Sequence, residues 1–157
     1  MNNLKFRVWD KKLQIFGTLS NIDFEFEEVT FYIDDEEELD TCQPFEDVEL
    51  MQSTELFDKN GKEIFEGDIV QYLDGEYSFV GVVENSAFGI YAKNKYDNYS
   101  FEDFADENTK EADVVVIGNI YENKELLENE NKSRIWYWYR LKQNVKKIRK
   151  TRGWKIL

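Results

Sequence analysis

Asp58-Lys59-Asn60-Gly61-Lys62-Glu63-Ile64-Phe65-Glu66-Gly67-Asp68-Ile69-Val70-Gln71-Tyr72 is the stretch from which the fold is read. Asn60-Gly61 is a strong hairpin signal, because both residues tolerate positive φ. Gly67-Asp68 makes a second tight turn, and Ile69 to Tyr72 enters a strand. A calcium loop does not fit here. With Gly61 at the sixth position, Leu56 falls at the first and Gly67 at the twelfth, where carboxylates are required.

Outward from this stretch the pattern repeats. Phe79 to Val83 and Phe88 to Ala92 read as strands joined through Asn85-Ser86, and Gly81 and Gly89 leave room for the bends of a small barrel. Val114 to Tyr121 reads as a buried strand with a glycine kink. Upstream, Leu4 to Trp9 alternates apolar and charged residues with period two, Asp10-Lys11-Lys12 turns, and Leu13 to Phe16 pairs back. Ile22 to Phe26 alternates again, Val29 to Ile33 is β-branched and aromatic, and Glu46 to Met51 is a further short strand. Ser100 with an acid three residues on favours one helical turn, and Asn123 caps a short helix running to Asn129. Short strands with turns between them predict a mainly β protein with short helices. The expected organisation is an N-terminal β hairpin region over 1–50, an SH3-like small barrel over 51–123 and a basic helical tail over 124–157. The expected core is Ile64, Ile69, Val70, Val82, Val83, Ile90, Val115, Ile117 and Ile120.

The composition narrows the chemistry. The chain has 157 residues, no histidine, one cysteine (Cys42) and one proline (Pro44). Ser-His-Asp and Cys-His nucleophiles are excluded, as is any histidine metal site. No internal disulfide can form, which fits a reducing compartment. Acidic residues are too abundant to single out a catalytic pair. No catalytic residue, metal ligand or cofactor is therefore predicted. The start, Met1 to Arg7, lacks the apolar core of a signal peptide. The longest apolar runs, Ile135 to Tyr139 and Val114 to Ile117, fall well short of the roughly 20 residues a spanning helix needs. A soluble, cytoplasmic protein is expected.

Charge is segregated along the chain. Residues 132–157 carry ten of the 20 basic residues and none of the 33 acidic ones, which leaves residues 1–131 at net -23 against +10 for the tail. Asp34, Asp35, Glu36, Glu37 and Glu38 form an acidic patch, read as a solvated loop because five adjacent carboxylates repel. From Ser133 the tail has helical spacing. Ile135, Trp138, Leu141, Val145 and Ile148 form one apolar stripe opposite Arg140, Lys146, Lys147 and Lys150. Trp136 lies off the stripe, so two faces need cover, and an oligomer is expected. Trp136, Trp138, Leu141, Val145 and Ile148 make the expected assembly face. Arg140, Lys146, Lys147, Arg149 and Lys150 make the expected partner-binding face. Burial against protein is the default, because an exposed Trp and Leu stripe invites aggregation. A lipid surface and nucleic acid are the other readings of such a helix.

Three segments together resemble the YopX family of phage and prophage proteins: Lys5-Phe6-Arg7-Val8-Trp9-Asp10-Lys11-Lys12; Leu50 through Val70; and Val116-Ile117-Gly118-Asn119-Ile120-Tyr121-Glu122-Asn123 with Leu126-Leu127. The resemblance covers about residues 4–127. It implies a compact domain with an SH3-like barrel, a phage or prophage origin, a bacterial host cytoplasm and oligomerisation, and it carries no catalytic residues. Ser53 and Glu55 stand where the family usually has an aromatic residue and a glycine, and Lys124 where it has a proline. The quoted residues themselves read as turn residues (Asn60, Gly61, Gly67, Asp68) and core residues, a pattern that marks a fold. Arg7 is expected to pair with an acid at the surface, where such a pair contributes about 1 kcal/mol or less. The functional expectation is a non-enzymatic accessory protein that assembles with itself and binds a host or phage protein. The alternatives are an acidic DNA mimic that inhibits a host DNA-binding or defence enzyme, and nucleic-acid binding through the basic tail.

Overall fold

The computed structural model describes residues 4–33, 40–74 and 77–128. Strands β1 (Phe6–Asp10), β2 (Ile15–Asp23), β3 (Glu28–Tyr32), β4 (Asp40–Pro44), β5 (Val48–Phe57) and β6 (Glu63–Phe65) form one sheet in the order β4-β3-β2-β1-β5-β6. Strands β7 (Asp68–Asp74), β8 (Tyr77–Ser86), β9 (Gly89–Lys93), β10 (Asn98–Ser100) and β11 (Val115–Asn119) form a second in the order β10-β9-β8-β7-β11. All the strand pairings within these sheets are antiparallel. Single 3-10 turns lie at Phe45–Asp47 and Phe101–Asp103. In the second, the Ser100 hydroxyl accepts the Glu102 N–H, as its sequence signal predicts.

The mainly β expectation holds, but the strands do not close into the expected SH3-like barrel. β5 explains the difference. It was expected to stop near position 51, yet nothing between Val48 and Phe57 interrupts the ladder with glycine or proline. The strand runs on across position 50 and pairs with β1 from Asp10↔Val48 to Phe6↔Gln52. It then turns back through the 58–62 loop to β6, so both sheets remain open. A second difference lies at Ile22 to Phe26. The alternation there does not make a strand of its own: β2 is one long strand that ends at Asp23. Phe24 and Phe26 follow in the turn, 78% and 70% exposed.

The apolar residues segregate into three clusters. Val8, Val29, Phe31 and Val48 pack within the first sheet. Leu56 and Ile64 of the β5–β6 hairpin pack with Val70, Phe79, Val83, Ala92, Phe101, Ala112 and Val114 on the second sheet and its connections. Trp9, Met51 and Phe65, with Phe16 and Tyr121 against them, form the third. Of the expected core, Ile64, Ile69, Val70 and Val83 are fully buried, each such side chain contributing about 1.5–3 kcal/mol. Val82, Ile90, Val115, Ile117 and Ile120 are half-buried. The last three lie on or just after β11, an edge strand with a ladder partner on one side only.

Among the described residues no helix is long and apolar enough to cross a membrane. The acidic patch Asp34, Asp35, Glu36, Glu37 and Glu38 lies outside the described residues. So do the tail residues Trp136, Trp138, Arg140, Leu141, Val145, Lys146, Lys147, Ile148, Arg149 and Lys150, and with them the expected C-terminal helix.

Candidate functional site

The third cluster is where the recognised segments meet. β1 sends successive side chains to opposite faces. Val8 enters the first core, while Arg7 and Trp9 point the other way. The Arg7 guanidinium lies between two rings, 4.4 Å from the Phe16 centroid on β2 and 4.8 Å from the Phe65 centroid on β6. Its Nη2 donates to Asp68 Oδ1 at 2.6 Å, and the other Asp68 oxygen accepts the Phe65 N–H at 2.9 Å. The pair joins the first sheet to the second, with Arg7 18% and Asp68 1% exposed. It is therefore the expected Arg7 pair in a buried setting, where a lost partner leaves a stranded charge. The contact is end-on: Arg7 Nε is buried and has no acceptor among the described residues.

Trp9 packs beside Arg7, 4.7 Å from the Phe16 ring and stacked at 5.4 Å on Tyr121. Burial pushes the Tyr121 phenol above its ordinary value. The charges of Glu49 and Glu66 push the same way, and Arg7 opposes them. Asn119 fixes the turn that presents Tyr121, because its Oδ1 accepts the N–H groups of Tyr121 and Glu122. Asn123 does not cap the following helical turn with its side chain as expected. Its Oδ1 turns back to accept the Asn119 N–H at 3.3 Å, and the turn over 125–128 starts with a backbone bond from Leu126 N–H to the Asn123 carbonyl.

Asn60, Gly61 and Gly67 lie in turns, by a different geometry from the one expected, while Asp68 is the first residue of β7. Only Gly61 in the hairpin has positive φ, at 78°. The loop is a three-residue turn, with the Gly61 N–H bonded to the Asp58 carbonyl. Asp58, 2% exposed, sets this geometry. One of its oxygens accepts the N–H groups of Asn60 and Lys62, and the other accepts the Val116 N–H of β11 at 2.9 Å. Gly67 takes φ 83°, bonded to the Val83 carbonyl through its N–H and to the Ile120 N–H through its carbonyl. Asp10, fully buried, accepts the N–H groups of Lys12 and Leu13 and the side-chain amide of Gln43.

Asp10, Asp58 and Asn119 were not singled out as structural anchors in the sequence. A usable signal was present: a carboxylate or amide followed two residues on by turn residues is the mark of a side chain that caps its own turn. Chemically the site is a clamp. Its carboxylates Asp58 and Asp68 accept backbone N–H groups, and Asp68 also takes the Arg7 guanidinium.

A second feature is the β2–β3 tip. Asp23 Oδ1 accepts the N–H groups of Glu25 and Phe26, and Glu27 completes the turn at φ 54°. The Phe24 ring meets the half-buried Phe45 edge-on at 5.9 Å, and Phe24 and Phe26 keep most of their side chains in water.

A family model described as YopX protein matches residues 5–128. Among solved structures, the crystal structure of protein EF1440 from Enterococcus faecalis aligns with a TM-score of 0.53 at 26% identity, over 79% of this chain and 97% of that one. No curated protein matches the chain.

Proposed function

The chain belongs to the YopX family, and on that premise we propose that it is a phage or prophage accessory protein that acts by associating with itself and with a host or phage protein, without catalysing a reaction. One observation carries the reading. The polar residues of the recognised segments, Arg7, Asp10, Asp58, Asp68 and Asn119, are occupied in holding turns and sheets together. Residues committed in this way build a scaffold, and a scaffold acts through what it displays. What this chain displays is a body of net -23 and a tail of +10. Opposite charges on one polypeptide favour association between copies and steer partners of matching charge.

Sedimentation velocity over a range of protein concentration, at low and high salt, tests the reading. Association that grows with concentration and weakens with salt is expected. A monomer at every concentration in low salt refutes self-assembly.

A further inference from the structure

We propose that the β2–β3 tip, residues 23–28, is the surface on the body that receives the basic segment 132–157 of a second copy. The inference rests on the self-association reading above and gives it a place. Phe24 and Phe26 are 78% and 70% exposed, on a turn held by the Asp23 carboxylate. Paired exposed rings on a fixed turn mark a docking surface, because nothing in the turn itself needs them outside.

Charge supplies the second argument. Asp23, Glu25, Glu27 and Glu28 flank the two phenylalanines in sequence. Among the described residues none of these four has a cationic partner, whereas Lys5, Arg7, Lys11, Lys12, Lys59 and Lys93 are each paired to an acid. The tip therefore asks for a segment both cationic and aromatic. Residues 132–157 supply ten basic residues with Trp136, Trp138 and Trp154. A second copy is the source because two bodies of net -23 repel each other. Association needs a cation laid between them, and a tail crossing from one copy to the other provides it. Reciprocal exchange gives two tails on two tips, a closed two-fold arrangement.

The test uses full-length variants. Phe24→Ser with Phe26→Ser removes the tip, and Arg140→Gln, Lys146→Gln, Lys147→Gln and Lys150→Gln together weaken the tail. The tip residues are exposed, so the first variant keeps its melting temperature. Each variant alone is expected to weaken self-association by roughly tenfold or more, as loss of aromatic anchors does. Mixing the two restores a heterodimer through the one intact tail on the one intact tip. Three outcomes overturn the proposal. A tip variant that associates like the wild type refutes the tip and leaves the self-association reading standing. A wild type that stays monomeric removes both. Protection of the tip amides in a concentration-independent monomer shows a tail folded on its own body.

Discussion

Glu55 holds a left-handed backbone, φ 60°, inside β5, where the pairing to β6 shifts register between Ser53 and Phe57. Two hydroxyls brace the irregularity. Ser53 Oγ accepts the Glu55 N–H, and Thr54 Oγ1 accepts the Leu56 N–H while donating to the Ile64 carbonyl at 2.7 Å. A side chain with a Cβ is strained in this region by about 1–2 kcal/mol. The resemblance implies that the family usually has a glycine at this position, and the left-handed backbone supplies a physical reason for one. Glu55→Gly relieves the strain and loses some chain entropy, for an expected net gain of about 0.5–1 kcal/mol. Urea unfolding reads it as a higher midpoint at unchanged slope, and a lower midpoint refutes it. At this scale the sequence was half legible. Turns at Asn60-Gly61 and Gly67-Asp68 were visible because glycine permits what other residues resist. The buried anchors Asp10 and Asp58 were not, because 33 acidic residues look alike until the fold selects which ones meet backbone N–H groups.

Arg7 and Asp68 set the relation between elements. β1 and β7 lie in different sheets, and this pair ties them through Phe16 and Phe65. Removing the cation strands a carboxylate that is 1% exposed, so Arg7→Ala is expected to cost about 3–5 kcal/mol in urea unfolding. Arg7→Lys keeps the charge but loses the flat contact with both rings, an expected cost of about 1–2 kcal/mol. The alanine variant has a second readout. Arg7 lowers the Tyr121 phenol against the raising effect of burial, so the phenol titrates still higher without it. A raised phenol favours the folded state below its unfolded value of about 10, and that stability is lost as pH climbs through the folded value. Phenolate absorbance follows this, and an earlier Tyr121 titration contradicts the assignment. Elements were more legible than anchors. Period-two alternation located β1, and β-branched residues located β3. The same alternation misled at Ile22 to Phe26, because a turn stapled by Asp23 displays its phenylalanines in the rhythm of a strand.

At the scale of the molecule, two open sheets meet at the end of one long strand of the first and in one mixed cluster. β5 is laddered to β1 and β6, yet its end is tied to the second sheet's approach, with Phe57 bonded to Lys110 and Ala112 through its backbone. The third cluster takes Trp9 and Phe16 from the first sheet, Met51 from β5, Phe65 from β6 and Tyr121 from the turn after β11. A barrel reading of 51–123 missed this sharing, since turn signals mark where strands end but not which strand they pair with. Neither sheet can open without exposing part of that cluster and stranding Arg7 or Asp68. Unfolding is therefore expected to be one cooperative event for the described body, as small domains usually show. Native-state hydrogen exchange tests this directly. The slowest amides of β1 and β3 and those of β7 and β8 are expected to open with the same free energy, and Arg7→Ala is expected to lower both sets together. A separation of more than about 1 kcal/mol between the sets would instead define two independently opening units. It would also place the Arg7–Asp68 contact among surface pairs that hold nothing together.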